Sequence, residues 1–135
     1  MHSKNVQAAI THLFDAYNDK DIELAMAGYG DDLVFITNTN GRTLRGVPAV
    51  REMFSKSFVA SPTMKALIDE IYDAGDTVVF KFTMDGVNGQ TGKAVRFPCL
   101  DVVKFNAKGE IIYEDNYSGK FEEEPATAEP ASAGA

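Results

Sequence analysis

The chain has 135 residues and no tryptophan, one cysteine, two histidines and five prolines. A single thiol, Cys99, excludes an internal disulfide, and a reducing, cytoplasmic setting is expected. His2 and His12 have no clustered ligand partners, which argues against a zinc site; no metal and no cofactor is expected. No apolar run reaches the ~18 residues needed to span a bilayer. The N-terminal stretch "MHSKNVQAAITHLFDAY" lacks the apolar core of a signal peptide. Positive charge is also scarce: 13 Lys and Arg stand against 20 Asp and Glu, for a net charge of -7. With no local basic cluster, neither nucleic acid nor a membrane surface is an expected partner.

Hydrophobic residues make up 44% of the chain, enough for one compact core. Val6, Ile10, Leu13, Phe14 and Tyr17 recur at helical spacing and predict an amphipathic helix over 4–18. A short helix is expected from Ile22 to Tyr29, capped by Asp21. "DLVFIT" (32–37) reads as a strand, followed by a tight turn at Asn40-Gly41. Pro48 opens a third helix with Val50, Met53, Phe54 and Phe58 on one side.

From residue 65 the period changes from helical to alternating. "KALIDEIYD", "TVVFKFTMDG", "KAVRFPCLDVVKF" and "EIIYEDNY" predict four strands joined by short turns, an antiparallel meander. Helices followed by a sheet imply an α+β domain with its helices on one face. The domain is expected over 1–121. Residues 122–135, "EEEPATAEPASAGA" without large apolar groups after the first glutamates, are expected to be a flexible acidic tail.

One residue does not fit its strand. Alternation puts Val95, Phe97, Cys99, Asp101, Val103 and Phe105 on one face, and Asp101 is the only ionisable group among them. Arg96 and Lys81, its obvious partners, point the other way. Val78, Phe80, Phe82 and Met84 of the preceding strand form the matching apolar face. Burying a carboxylate is costly unless it is paired, protonated or used. Asp101 is thus either a structural group held by backbone N–H bonds or a carboxyl with a raised pKa, ready as a general acid or base. Cys99 on the same face has no histidine to activate it and reads as a small buried hydrophobe. His12 lies opposite the helical stripe and reads as solvated. "GQTG" and "GYGDD" are too short for phosphate loops, and Tyr113 and Tyr117 read as packing or interface residues.

Three stretches, "AYNDKDIELAMAGYGDDLVF" (16–35), "GRTLRGVPAVREMF" (41–54) and "FPCLDVVKFNAKGEIIYEDNY" (97–117), resemble the SnoaL-like polyketide cyclase and ketosteroid isomerase branches of the nuclear-transport-factor-2-like superfamily. The resemblance covers roughly residues 5–118 and implies a cone-shaped, cystatin-like α+β fold. In it the N-terminal helices pack in a strongly curved antiparallel sheet, with a pocket at the open end. It also implies a homodimer through the sheet's outer face. Asp101 in "LDVVKF" matches the family's acidic residue, which in the isomerases stays protonated to bind an oxyanion, an example long used to illustrate pKa tuning. In the cyclases it is the acid/base of ring closure. The isomerase's other groups do not carry over: Leu13, Thr37 and Phe54 stand where it has Tyr, Asp and Tyr. Tyr17 is the nearest substitute hydroxyl.

The resemblance therefore implies a small cofactor-free enzyme. Asp101 would act on an apolar carbonyl-type molecule, as an isomerase, cyclase or dehydratase. Phe54, Phe80, Phe82, Met84 and Phe97 would hold the ligand, and Tyr17, Asn38 and Asn116 would orient its polar atoms. Glu114 and Asn116 would point inward on the last strand, with Ile111, Tyr113, Asp115 and Tyr117 outward. An inward Glu114 would share a proton with Asp101. Epoxide hydrolysis would need an Asp–Arg–Asp set. The alternative is a non-catalytic ligand-binding or dimerisation module on the same fold. Two or more polar groups converging on Asp101 favour the enzyme; an isolated Asp101 favours the module.

Overall fold

This computed structural model describes residues 3–120 and 122–123. Helix α1 (Ser3–Asn18) buries Val6, Ile10, Leu13 and Phe14 and leaves His12 exposed, as its spacing requires. Its end is tied to the sheet by Asn18. The Asn18 amide donates to the Ala66 carbonyl at 2.9 Å and accepts the Ala66 N–H at 2.7 Å, as a neighbouring strand would.

Helix α2 (Ile22–Met26) is capped by Asp21, whose carboxylate accepts the Leu24 N–H at 3.1 Å. It stops short of Tyr29, the end that the local sequence predicts. The Gly28 carbonyl accepts the Ile111 N–H at 2.9 Å, and Tyr29 already pairs with Ile111. A sheet bond from far along the chain here replaces another helical turn. Helix α3 (Val47–Ala60) carries Pro48 in its first turn and buries Val50 and Phe54.

The strands are β1 (Tyr29–Thr37), β2 (Arg42–Arg45), β3 (Lys65–Asp73), β4 (Thr77–Val87), β5 (Ala94–Phe105), β6 (Ile111–Ser118) and β7 (Glu122–Glu123). Their order is β2-β1-β6-β5-β4-β3, with β7 also paired to β5. The meander β3 to β6 is antiparallel. The sheet is nevertheless mixed, because β1 joins β6 in parallel, with α3 and other strands between them in sequence. β2 lies in a stretch whose residues predict only a turn. Only Leu44 of its four residues is buried, too little alternation to reveal a strand. It folds back on β1 through the Asn40-Gly41 turn, where Gly41 takes φ 67°.

One irregularity decides which side chains face inward at the end of the sheet. Lys104 pairs with Tyr113, but Phe105 pairs with Ile111, so β6 carries an extra residue, Ile112. Alternation breaks there. Ile111, expected outward, is 2% exposed, while Glu114 beyond the bulge is also buried.

The core lies between α1 and α3 and the inner sheet face, centred on Phe80, Ile10, Leu33, Val78 and Val103. No described helix is long and apolar enough to cross a membrane. Of the expected acidic tail, the backbone of Glu122–Glu123 pairs with Val95–Arg96; residues 124–135 lie outside the described residues.

Candidate active site

Cross-strand pairing assembles the site in rows on the inner face. One row runs Thr37, Asn116, Asp101, Phe80 across β1, β6, β5 and β4. The next runs Phe35, Glu114, Val103, Val78. Asp101 and Glu114 are therefore diagonal neighbours on adjacent strands, close enough for side chains to meet. The helices α1 and α3 cover these rows incompletely and leave a cavity of about 230 Å³.

Four polar residues form one chain in the cavity wall. The Asn116 amide donates to Asp101 Oδ1 at 2.6 Å. Asp101 and Glu114 hydrogen-bond to each other, which two carboxyls can do only if one holds a proton. The Tyr29 hydroxyl donates to Glu114 Oε1 at 2.8 Å. Asp101 is 2% exposed and Glu114 4%. Burial holds the Asp101 carboxyl well above the usual carboxylate range, and the bond to Glu114 and its charge push it further. Burial also holds the Glu114 carboxyl above its ordinary value, and the bonds to Asp101 and Tyr29 offset only part of that rise. The two carboxyls thus hold one proton between them, with the Asn116 amide bonded to the Asp101 end of the pair and the Tyr29 hydroxyl to the Glu114 end. Burial, reinforced by Glu114, holds Tyr29 far above its ordinary value, so it remains a donor.

Asp101 thus has two side-chain partners, and a third polar group stands behind Glu114. Lys81 and Arg96 are engaged elsewhere, with Glu70 at 3.3 Å and Asp85 at 3.2 Å. The residues lining the cavity include no Lys, Arg or His, so an Asp–Arg–Asp set is absent from the wall. Among the described residues no cluster of His, Cys, Asp or Glu has the make-up of a metal site.

The structure brings Tyr17, Phe54, Phe82, Met84, Phe97, Asp101, Glu114 and Asn116 together in the cavity wall. Phe80 and Asn38 stand outside it. Phe80 lies beside Asp101 in the row, but the Phe14 ring sits edge-on over it at 5.5 Å and over Phe82 at 5.0 Å, closing Phe80 into the core. Asn38 follows the inward Thr37, so alternation turns it outward. There it bonds the Asp115 carboxylate and the Asn116 carbonyl. Sequence reasoning misses Tyr29 altogether. Local pattern makes it the end of a helix, and its partner Glu114 lies 85 residues away. Phe14, Met53 and Phe35 are further wall residues that it does not single out. The helical stripe holds the signal for Phe14, since it shares a face with Tyr17. The positions Leu13, Thr37 and Phe54 all line the cavity. Thr37 is bonded to the Asn40 side chain and faces the Arg42 carbonyl at 3.5 Å. Cys99 lies against Ser118 at 3.7 Å, and burial pushes its thiol up, away from the thiolate.

A family model for the SnoaL-like domain matches residues 10–114. No curated protein matches the chain. Several solved structures share its fold. The epoxide hydrolase/cyclase-like enzyme SalBIII, of pyran ring formation in polyether salinomycin, aligns with TM-score 0.79 and 14% identity, covering 90% of this chain and 97% of that one. An M. tuberculosis LEH-like epoxide hydrolase aligns with TM-score 0.72 and 21% identity, covering 86% and 84%. A protein with a ketosteroid isomerase-like fold from Catenulispora acidiphila, solved with trimethylamine, aligns with TM-score 0.75 and 16% identity, covering 81% and 83%.

Proposed function

The chain belongs to the SnoaL-like domain family, and we propose that it is an enzyme in which the Asp101–Glu114 pair moves a proton on an apolar carbonyl-type small molecule. The observation that carries this reading is the pair of buried, neighbouring carboxyls in the wall of an apolar cavity, a pairing that favours one proton shared between them. Such a pair holds an acid and a base side by side at one pH. A binding module has no need of that arrangement, and a lone structural Asp would lack it.

One proton on two carboxyls makes one an acid and the other a base, and we take Asp101 as the acid and Glu114 as the base. Asp101 gives its proton to the substrate's carbonyl oxygen. Glu114 accepts a proton from the carbon beside that carbonyl, and the C–H electron pair becomes the new double bond of the enol. The pair ends with the proton on the other carboxyl and its net charge unchanged. Returning a proton at a different carbon isomerises the substrate; attack of the enol carbon on a second carbonyl closes a ring. Asn116 holds Asp101 Oδ1, and Tyr29 holds Glu114, so both carboxyls are oriented before the substrate arrives. The apolar wall excludes water, which strengthens these interactions.

The test is deuterium exchange. 4-Ethylacetophenone in D2O is incubated with the protein, and its α-methyl signal is followed by NMR. The expected result is exchange above the buffer rate that falls by about 10²-fold or more in Asp101→Asn and in Glu114→Gln. Exchange at the buffer rate, or exchange untouched by both substitutions, removes the acid/base role.

A further inference from the structure

Two poles of the cavity differ in how well their polar groups are satisfied. At one pole Asp101, Glu114, Asn116 and Tyr29 bond one another in a closed chain. At the other stands Tyr17, projecting from α1. Its ring is fixed edge-on between Phe54 at 5.6 Å and Phe58 at 5.2 Å, with the Lys20 ammonium 4.8 Å from its centroid. Among the described residues, its hydroxyl has no hydrogen-bond partner. Ser57, another hydroxyl of the wall, is exposed and is served by solvent. The Phe54 ring touches both tyrosines, 5.6 Å from Tyr17 and 6.3 Å from Tyr29. A rigid ring held by aromatic neighbours fixes its hydroxyl in one place, which is what a selective binding group requires. Burial pushes the Tyr17 hydroxyl up to about 12, so it is a donor across the physiological range.

We propose that Tyr17 is the second anchor of this cavity. Its substrate is then a compact neutral molecule with two oxygen functions at opposite ends, one taken by the Asp101–Glu114 pair and the other accepting a hydrogen bond from the Tyr17 hydroxyl. Size follows from the volume. By proportion with a ~150 Å³ cavity that holds benzene, 230 Å³ encloses roughly nine non-hydrogen atoms, and because the cavity is open on one side a single-ring molecule of about eleven still fits. Neutrality follows from the wall, which holds two carboxyls and no cationic side chain, so a carboxylate or phosphate would enter without a counter-charge. The role of the first oxygen rests on the proton-transfer reading; the role of Tyr17 does not.

The experiment uses a matched pair of ketones on the full chain. 4-Methoxyacetophenone and 4-ethylacetophenone have the same shape, but only the first carries a second oxygen, across the ring from the carbonyl. Affinities are measured by NMR titration for the wild type and for Tyr17→Phe, which keeps the ring and removes the hydroxyl. The wild type is expected to prefer the methoxy ketone by about three- to tenfold, the worth of one net hydrogen bond. Tyr17→Phe should erase that preference by weakening the methoxy ketone alone. 4-Acetylbenzoate, the anionic control, should not bind. Equal affinity of the two ketones for the wild type, an unchanged preference in Tyr17→Phe, binding of neither ketone, or binding of the benzoate as tight as the neutral pair each overturns the proposal. Deuterium exchange on the same samples separates the two readings. A Tyr17-dependent preference without exchange leaves this proposal standing and removes proton transfer. Exchange without the preference does the reverse.

Discussion

Replacing Asp101 by Asn tests the proton assignment through stability alone, without any ligand. Asn is the shape of a protonated Asp. Its amide nitrogen can donate to Glu114 where Asp101 now donates, and its oxygen can accept from Asn116, so both bonds at 2% exposure survive. What disappears is the titration. In the unfolded chain Asp101 ionises at about 3.9; in the folded chain burial and Glu114 hold its proton well above that. Between those two points the native state binds one more proton than the unfolded state. The slope of stability with pH is then negative: the contribution is complete below about 3.9 and is lost as pH rises through the folded pKa. One proton corresponds to about 1.4 kcal/mol per pH unit. Urea denaturation of wild type and Asp101→Asn, followed by circular dichroism from pH 4 to 8, measures the difference, in which every group outside the coupled Asp101–Glu114 pair cancels. The variant should gain on the wild type by up to about 1.4 kcal/mol for each unit of rising pH until Asp101 ionises, at unchanged m-value. Parallel curves would show Asp101 titrating normally, and a wild type that gains on the variant with rising pH would show a depressed pKa; either refutes the assignment. A variant unfolded across the whole range would make Asp101 a structural residue.

Two further substitutions probe the surroundings of the pair. Glu114→Gln removes the charge that raises Asp101 and offers an amide N–H that can donate to its carboxylate, so the Asp101 carboxyl should titrate at lower pH than in the wild type; carbon-13 NMR of labelled carboxyls reads this, and a higher or unmoved value would contradict the coupling. Phe80→Ala empties a site that is 0% exposed and packed by Phe14 at 5.5 Å and Phe82 at 5.7 Å. It should cost about 3–5 kcal/mol in urea unfolding, and a loss below about 1 kcal/mol would mean that Phe80 is not a core residue.

Alternation along "VRFPCLDVVKF" is enough to assign the face of Asp101, because a period of two is a local property of extended backbone. The helical stripe of α1, the Asp21 cap and the meander are legible for the same reason: neighbours in sequence decide them. The quoted stretches also carry the family and its α+β class. The partners of Asp101 are another matter. Glu114 faces the cavity through its register with Val103, and Ile111 can face inward with it only because Ile112 adds a residue to β6. Tyr29 reaches Glu114 only because β1 lies parallel to a strand far along the chain, and that pairing shortens the helix its own neighbours favour. The exclusion of Phe80 from the cavity depends on Phe14 crossing from a helix. That a carboxyl is buried can be read from a local period. That a second carboxyl stands beside it comes from the family resemblance and not from any local period, because the bulge, the parallel pairing and the helix crossing are all contacts between distant parts of the chain.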